Sequence, residues 1–330
     1  MIPKHPVIGI DLGGTKISTA LTDDTGTIIA HDYRETLAAE GQKAVIRRML
    51  DSARQVMAQA GVTQAQVVAT GIGAPGPLDI KAGVVMAPPN LPGWDRVPLK
   101  QLVENELGIA TFLENDANAA ALGEHRFGAG RGTEHMIYVT VSTGIGGGLI
   151  LDGKLYHGIS GAAGEIGHIT IMPNGPRCGC GNRGCLEALA SGTAIARQAR
   201  ERVTHGVPTL IADLAEGIPE RITAKLVAEA ASRGDIEAQD ILAEAMNYLG
   251  IGMANLVNLF NPQLIVIGGG LTNIGELLFG PVRRVIARRA FRTPAREVQV
   301  VRAELGDHVG VLGAAAVALA QIGWREMTDA

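Results

Sequence analysis

Apolar residues fall into short runs along this chain, and most runs end at glycine or at a polar corner. VIGIDLGGTKISTALTDDTGTIIAHDYR, from Val7 to Arg34, reads as strand, glycine turn, strand, acidic turn and strand, with Asp23–Gly26 as a hairpin turn. From 41 to 60 the spacing becomes helical: Val45, Met49, Val56 and Ala60 recur near one face, and Gly61 is placed to end the helix. A strand is expected from about Val67, ending in the Gly/Pro loop of VVATGIGAPGPLD. Residues 99–107 predict a short helix, TFLEND a strand with a polar end, and ANAAALGEHRF a helix.

The second half repeats this grammar. HMIYVTVSTGIGGGLILDGKLY predicts strand, glycine turn and strand, with LDGK as a hairpin turn. Residues 188–260 predict mainly helix, broken at Gly206, Pro219 and Gly234. PQLIVIGGGL reads as a strand entering a glycine turn, VQVVRAEL as a strand, and VGVLGAAAVALAQI as a buried helix. The pattern predicts an α/β chain of two halves, with a boundary between 115 and 130. We place a smaller α/β domain at 1–117 and a larger α/β domain at 118–309, and expect the C-terminal helix, about 310–326, to return to the first.

Composition narrows the function. The 330 residues are 46% apolar and 19% charged, with net charge -4 and no long basic run. Disorder is disfavoured, and nothing points to nucleic acid, which draws a concentrated positive surface. No apolar run is long enough for a membrane span or a signal segment, so a cytoplasmic location without membrane contact is expected.

Three glycine turns are candidates for phosphate contact. In DLGGTK, Gly13 and Gly14 let backbone N–H groups approach an anion, Thr15 adds a hydroxyl, Lys16 a positive charge, and Asp11 can hold a water of Mg²⁺. From Gly9 the order is G-x-x-x-x-G-T-K, which departs from the P-loop order, so a plain hairpin turn is the other reading. Thr143–Gly148 and Ile267–Gly270 are the second and third candidates, each weak alone. GIGAPG at 71–76 fits G-x-G-x-x-G, but Pro75 and Pro77 oppose the helix that a dinucleotide site needs.

Polar side chains cluster at further corners. Glu114, Asn115 and Asp116 lie between a strand and a helix, where Asn115 and Asp116 are both good helix caps and Asp116 is otherwise a general base on a sugar hydroxyl. Asn115 can bond a neighbouring hydroxyl, and so can Asn90 in PPNLPGW, whose Trp94 is either pocket wall or core. Glu165 and Glu187 complete a set polar enough for a hexose. All three cysteines lie between 178 and 185, and with His168 they form H-x9-C-x-C-x4-C. One imidazole and three thiolates match a closed structural zinc site, with Gly179, Gly181 and Gly184 allowing a tight loop. Ordinary buried cysteines, or a reactive thiol or disulfide, are the alternatives. A zinc loop at 168–185 would fix Glu165 and Glu187 beside it.

GIDLGGTK, APG, PPNLPGW, LENDANAAALGE, STGIGGGLI, GAAGEIGHI, CGCGNRGCLEALASG and LIVIGGG together resemble the ROK family of sugar kinases and repressors, especially its bacterial glucokinases, over roughly residues 7 to 317. The resemblance implies an actin/hexokinase-like (ribonuclease H-like) two-domain fold with a cleft that closes over sugar and ATP. It makes Asp116 the catalytic base. It assigns sugar contacts to Asn90, Asn115, Glu165, His168 and Glu187, and zinc to His168, Cys178, Cys180 and Cys185. Phosphates would meet Gly13, Gly14, Thr15, Lys16, Thr143, Gly144 and Gly146, with Asp11 near Mg²⁺ and Gly268 and Gly269 near adenosine. Homodimers or homotetramers are expected. Only a few residues precede Val7, which speaks against a repressor layout. The activity implied is transfer from ATP to the 6-hydroxyl of glucose, giving glucose 6-phosphate and ADP for glycolysis. The alternatives are N-acetylglucosamine, N-acetylmannosamine or another hexose as acceptor and, more distantly, a non-catalytic sugar-binding regulator.

Overall fold

A computed structural model describes residues 4–323. The chain first builds β1 (Val7–Leu12), β2 (Lys16–Thr22), β3 (Ile28–Glu35), α1 (Gln42–Ala60), β4 (Ala69–Ala74), β5 (Leu78–Asp79), β6 (Val84–Val85), α2 (Leu99–Leu107), β7 (Thr111–Asn115) and α3 (Asp116–Phe127). Next come β8 (Met136–Val141), β9 (Ile145–Leu151), β10 (Lys154–Leu155), α4 (Leu186–Ala190), α5 (Gly192–Thr204), α6 (Leu210–Leu214) and α7 (Ala224–Ser232). The last are α8 (Ile236–Phe260), β11 (Leu264–Gly268), α9 (Glu276–Arg289), α10 (Arg292–Glu297), β12 (Gln299–Arg302) and α11 (Val309–Gln321).

These elements form two compact units, each with a sheet. The first takes the chain up to Thr133, Gly148–Ala163 and the chain from Glu304; the second takes Glu134–Gly147 and Gly164–Ala303. The boundary expected at 117/118 lies at the first turn of α3, which stays in the first unit because it packs against α11. Residues 324–326 of the expected C-terminal helix lie outside the described residues.

The first sheet has the order β3-β2-β1-β4-β7. β1 is antiparallel to β2 and parallel to β4, which is parallel to β7. Pairing of Asp11 with Ser18 and Leu12 with Ile17 leaves 13–16 as the turn. One core joins Ile8, Ile10 and Leu12 of β1 to Met49 and Val56 of α1 and Val103 of α2, and Trp94 is buried in it. Trp94 is therefore core.

α11 packs on the same sheet through backbone. A Cβ on Gly9 would lie 2.1 Å from the Val311 carbonyl oxygen, and one on Gly71 would lie 1.8 Å from that of Ala314. This accounts for two of the glycines and for the small residues of α11: the helix backbone sits directly on the strands. Gly71 thus serves packing, and no helix opens after GIGAPG, where the chain runs on into β5.

The second sheet, β10-β9-β8-β11-β12, repeats the order of the first. β11 is parallel to both β8 and β12. α9 and α10 have no counterpart in the sequence reading, and Pro281 inside α9 interrupts the helical pattern there. Among the described residues no helix is long and apolar enough to cross a membrane.

Candidate active site

In the first unit, β1 delivers Asp11 beside its hairpin turn. Gly13 N–H donates to the Lys16 carbonyl at 2.8 Å, and the Thr36 hydroxyl donates to the Gly13 carbonyl at 2.7 Å. A Cβ on Gly14 would stand 2.8 Å from Asn90 Cβ, so the hairpin tip and the loop carrying Asn90 touch. Lys16 Nζ lies 3.9 Å from an Asp11 carboxylate oxygen. At the first turn of α11, a Cβ on Gly310 would lie 2.4 Å from Asp11 Oδ2. Burial pushes the Asp11 carboxyl above the usual range, and Lys16 opposes that shift. A hard cation would favour the ionised form, and a carboxylate oxygen is the donor that Mg²⁺ takes.

The same unit holds the β7–α3 corner. Asn115 is the helix cap: its Oδ1 accepts from the N–H groups of Ala117 at 3.0 Å and Asn118 at 3.2 Å. Asp116 occupies the first turn, is exposed, and accepts from Ala117 N–H at 2.7 Å. Glu114 is buried at 1% exposure. Its Oε1 accepts from Asn115 N–H at 2.9 Å and from the Asn118 amide at 3.0 Å. Its Oε2 faces His157 Nε2 at 2.7 Å. The sequence reading missed His157, and no motif marks it, since it stands 43 residues from its partner. The bond to Glu114 raises the His157 pKa against the opposing effect of burial.

The second unit collects the other candidates. The turn at Thr143–Gly146 is held at its first two residues: Ser142 N–H donates to the Gly144 carbonyl at 2.9 Å, and the Thr193 hydroxyl to the Thr143 carbonyl at 2.8 Å. Gly269 has φ +87°, and a Cβ there would lie 2.4 Å from the Val141 carbonyl oxygen, so the turn at Gly268–Gly270 rests against the end of β8. Glu187 at the first turn of α4 accepts from Ile145 N–H at 2.9 Å, while its other oxygen lies 3.7 Å from Cys178 Sγ. One carboxylate therefore joins a glycine turn to the cysteine loop.

That loop brings four ligand types together. One donor atom from each of His168, Cys178, Cys180 and Cys185 lies within 4.8 Å of the others. His168 Nδ1 is 3.6 Å from Cys178 Sγ, and the sulfurs of Cys180 and Cys185 are 3.7 Å apart. A tetrahedral zinc with bonds of about 2.3 Å sets its sulfurs about 3.8 Å apart, so the cluster fits. Burial pushes the Cys178 thiol up to about 12 and also raises Cys185, while a backbone hydrogen bond at Asn182 lowers Cys180. His168 Nε2 lies 3.9 Å from a Glu165 oxygen, so its two nitrogens face the cysteines and the expected sugar ligand. Gly184 has φ +67°, and a Cβ there would overlap the Met172 carbonyl oxygen at 1.5 Å. Gly179 is different: it has no positive φ, and a Cβ would meet open space, so the tight loop does not need it.

The first unit thus holds Asp11, Gly13–Lys16, Asn90, Asn115 and Asp116, and the second holds the remaining candidates.

Comparisons extend over almost the whole chain. A sequence model of the ROK family matches residues 7–321. A glucokinase of Thermotoga maritima is 41% identical over 322 residues, covering 98% of this chain and 100% of the relative. A putative xylose repressor of a Caldicellulosiruptor species is 36% identical, over 96% of this chain and 78% of that protein. A crystal structure of a ROK family glucokinase from Streptomyces griseus, in complex with glucose and AMPPNP, superposes with TM-score 0.80 at 38% identity. That match covers 95% of this chain and 99% of the other.

Proposed function

The chain belongs to the ROK family, and from that premise we propose that it is a glucokinase, transferring the γ-phosphoryl group of ATP to the 6-hydroxyl of glucose. The observation that carries this reading is the division of labour at the β7–α3 corner. Asn115 caps the helix, so Asp116 is a carboxylate that the helix does not need as its cap.

Asp116 takes the proton of the sugar hydroxyl as that oxygen bonds to the γ-phosphorus. The bond from phosphorus to the bridging oxygen breaks, and ADP leaves with the electron pair. Asn90, Glu165, His168 and Glu187 orient the other sugar hydroxyls, together with the Asn115 amide. Lys16 and the N–H groups of the 13–16 and 143–146 turns hold the phosphates, apart from Gly13 N–H and Ile145 N–H, which bond the Lys16 carbonyl and Glu187, with Gly268 and Gly269 beside the nucleoside. Asp11 is the residue that would hold Mg²⁺ through water, and the ion supplies charge compensation for the phosphates. His168, Cys178, Cys180 and Cys185 would hold Zn²⁺, which supplies a cross-link that keeps Glu165 and Glu187 in place. We infer a homodimer or homotetramer in solution, which light scattering on the eluted protein tests.

A second reading is a sugar-binding regulator, favoured by the likeness to a xylose repressor. Steady-state assays with Mg-ATP and glucose, mannose, fructose, N-acetylglucosamine and N-acetylmannosamine separate the readings, with D116N as control. The expected result is the highest kcat/KM for glucose, lost in D116N. Preference for an N-acetyl sugar would change the substrate alone. Sugar binding without turnover on any acceptor would favour the regulator.

A further inference from the structure

The geometry points to His157 as a positioning residue for the phosphoryl-transfer corner, acting through Glu114 as an ionisable clamp that holds Asp116 in register. The inference rests on Asp116 being the base.

Glu114 is a buried carboxylate with three hydrogen-bond partners. Two are the Asn115 N–H and the Asn118 side-chain amide, which flank Asp116 on either side. The third is His157, at 2.7 Å, just beyond β10. The first two are neutral and belong to the corner itself. A buried carboxylate with only such partners carries a large desolvation cost, and an imidazolium both donates and compensates charge. Losing that counter-charge acts on Glu114 first, then on the two groups bonded to it, and so on the residue between them.

His157 is also tied into its own segment. Its carbonyl accepts from Ala163 N–H at 3.1 Å, closing a loop whose Ile159 is 93% exposed. The clamp therefore fastens a buried corner to the base of an exposed loop. Glu114 of β7 is the carboxylate bonded to the ring. The other ionisable groups on the neighbouring elements include Asp116 on α3, Lys154 on β10 and Tyr156 directly before His157.

The pH sense follows from the raised imidazole pKa. The clamp is complete below the ordinary imidazole value of about 6.5 and weakens as pH rises through the raised folded value. Neutral His157 keeps one N–H for Glu114 but loses its charge, so the corner loosens without collapsing.

The test compares H157A, H157Q and D116N by kcat, KM and pH–rate profile, with thermal melting to confirm folding. H157A is expected to lower kcat roughly 10–100-fold, the scale of a misplacement of about 1 Å, with smaller changes in either KM. H157Q keeps an N–H donor and removes the titration. It is expected to recover most of the lost kcat and to lack the wild-type decline on the alkaline side. A folded H157A with wild-type kcat and profile would overturn the clamp, as would an H157Q that keeps the alkaline limb. If H157A does not fold, H157Q alone decides. D116N retaining turnover would instead remove the base assignment.

Discussion

The β7–α3 corner and the cysteine loop both carry expected sugar ligands, but they are held together by different means. At the corner, Glu114, Asn115 and Asn118 bond to one another and to backbone, so the strand and helix that place Asp116 also stabilise it. The loop has no long element of its own. It relies on the Gly184 turn, on Glu187 reaching to Ile145 and Cys178, and on four donor atoms that match a zinc site. Chemistry in the first region is written into secondary structure. On the reading proposed above, geometry in the second would depend on an ion, so damage to each should look different.

D116N has the largest expected effect. It should lower kcat about 10²–10⁴-fold, the range for a lost general base, while leaving glucose affinity, zinc content and melting temperature close to wild type. A parallel loss of zinc or stability would show that corner and loop are not separable. C180S should do the reverse: lower zinc content and melting temperature, and raise the glucose KM on the order of tenfold, with kcat less affected. A metal-free C180S protein with wild-type KM would sever the loop from sugar binding.

Acid should sharpen the contrast. With Cys178 pushed up to about 12 and Cys185 also raised by burial, both thiols keep their protons when no metal is present at neutral pH. Metal binding must expel them, so each proton released weakens zinc affinity about tenfold per unit fall in pH. Zinc retention after dialysis at stepwise lower pH should therefore fall steeply. A pH-independent affinity would mean that the thiols are not the ligands. The loop loosens as pH falls, whereas the His157 clamp loosens as pH rises.

What could be read in advance divides along similar lines. The hairpin of β1 and β2, the helix at 99–107 and the H-x9-C-x-C-x4-C spacing were legible because their signals are local. α9 was not, since Pro281 and its many arginines blur the helical period. Trp94 could not be assigned to core or pocket without knowing what packs against it. The glycines were legible as a class but not by purpose: Gly71 lets α11 approach, Gly184 supplies a positive φ, and Gly179 does neither. The bond between Glu114 and His157 was invisible because no spacing rule connects positions 43 residues apart.

The smallest effect concerns Asn115, for which the sequence left both a helix cap and a sugar ligand open. Its carbonyl oxygen is occupied by the cap on α3, which leaves the amide NH₂ for a hydroxyl. The two roles can be pulled apart. N115A loses both, so it should cost about 1 kcal/mol of stability. N115S keeps a capping oxygen and should stay within about 0.5 kcal/mol of wild type. Both should raise the glucose KM roughly 2–10-fold, the scale of one neutral hydrogen bond. Equal stability losses in the two variants would mean that the cap does not stabilise the corner. An unchanged KM in N115S would mean that Asn115 serves the helix alone, and that the corner reads sugar through Asp116 without its neighbour.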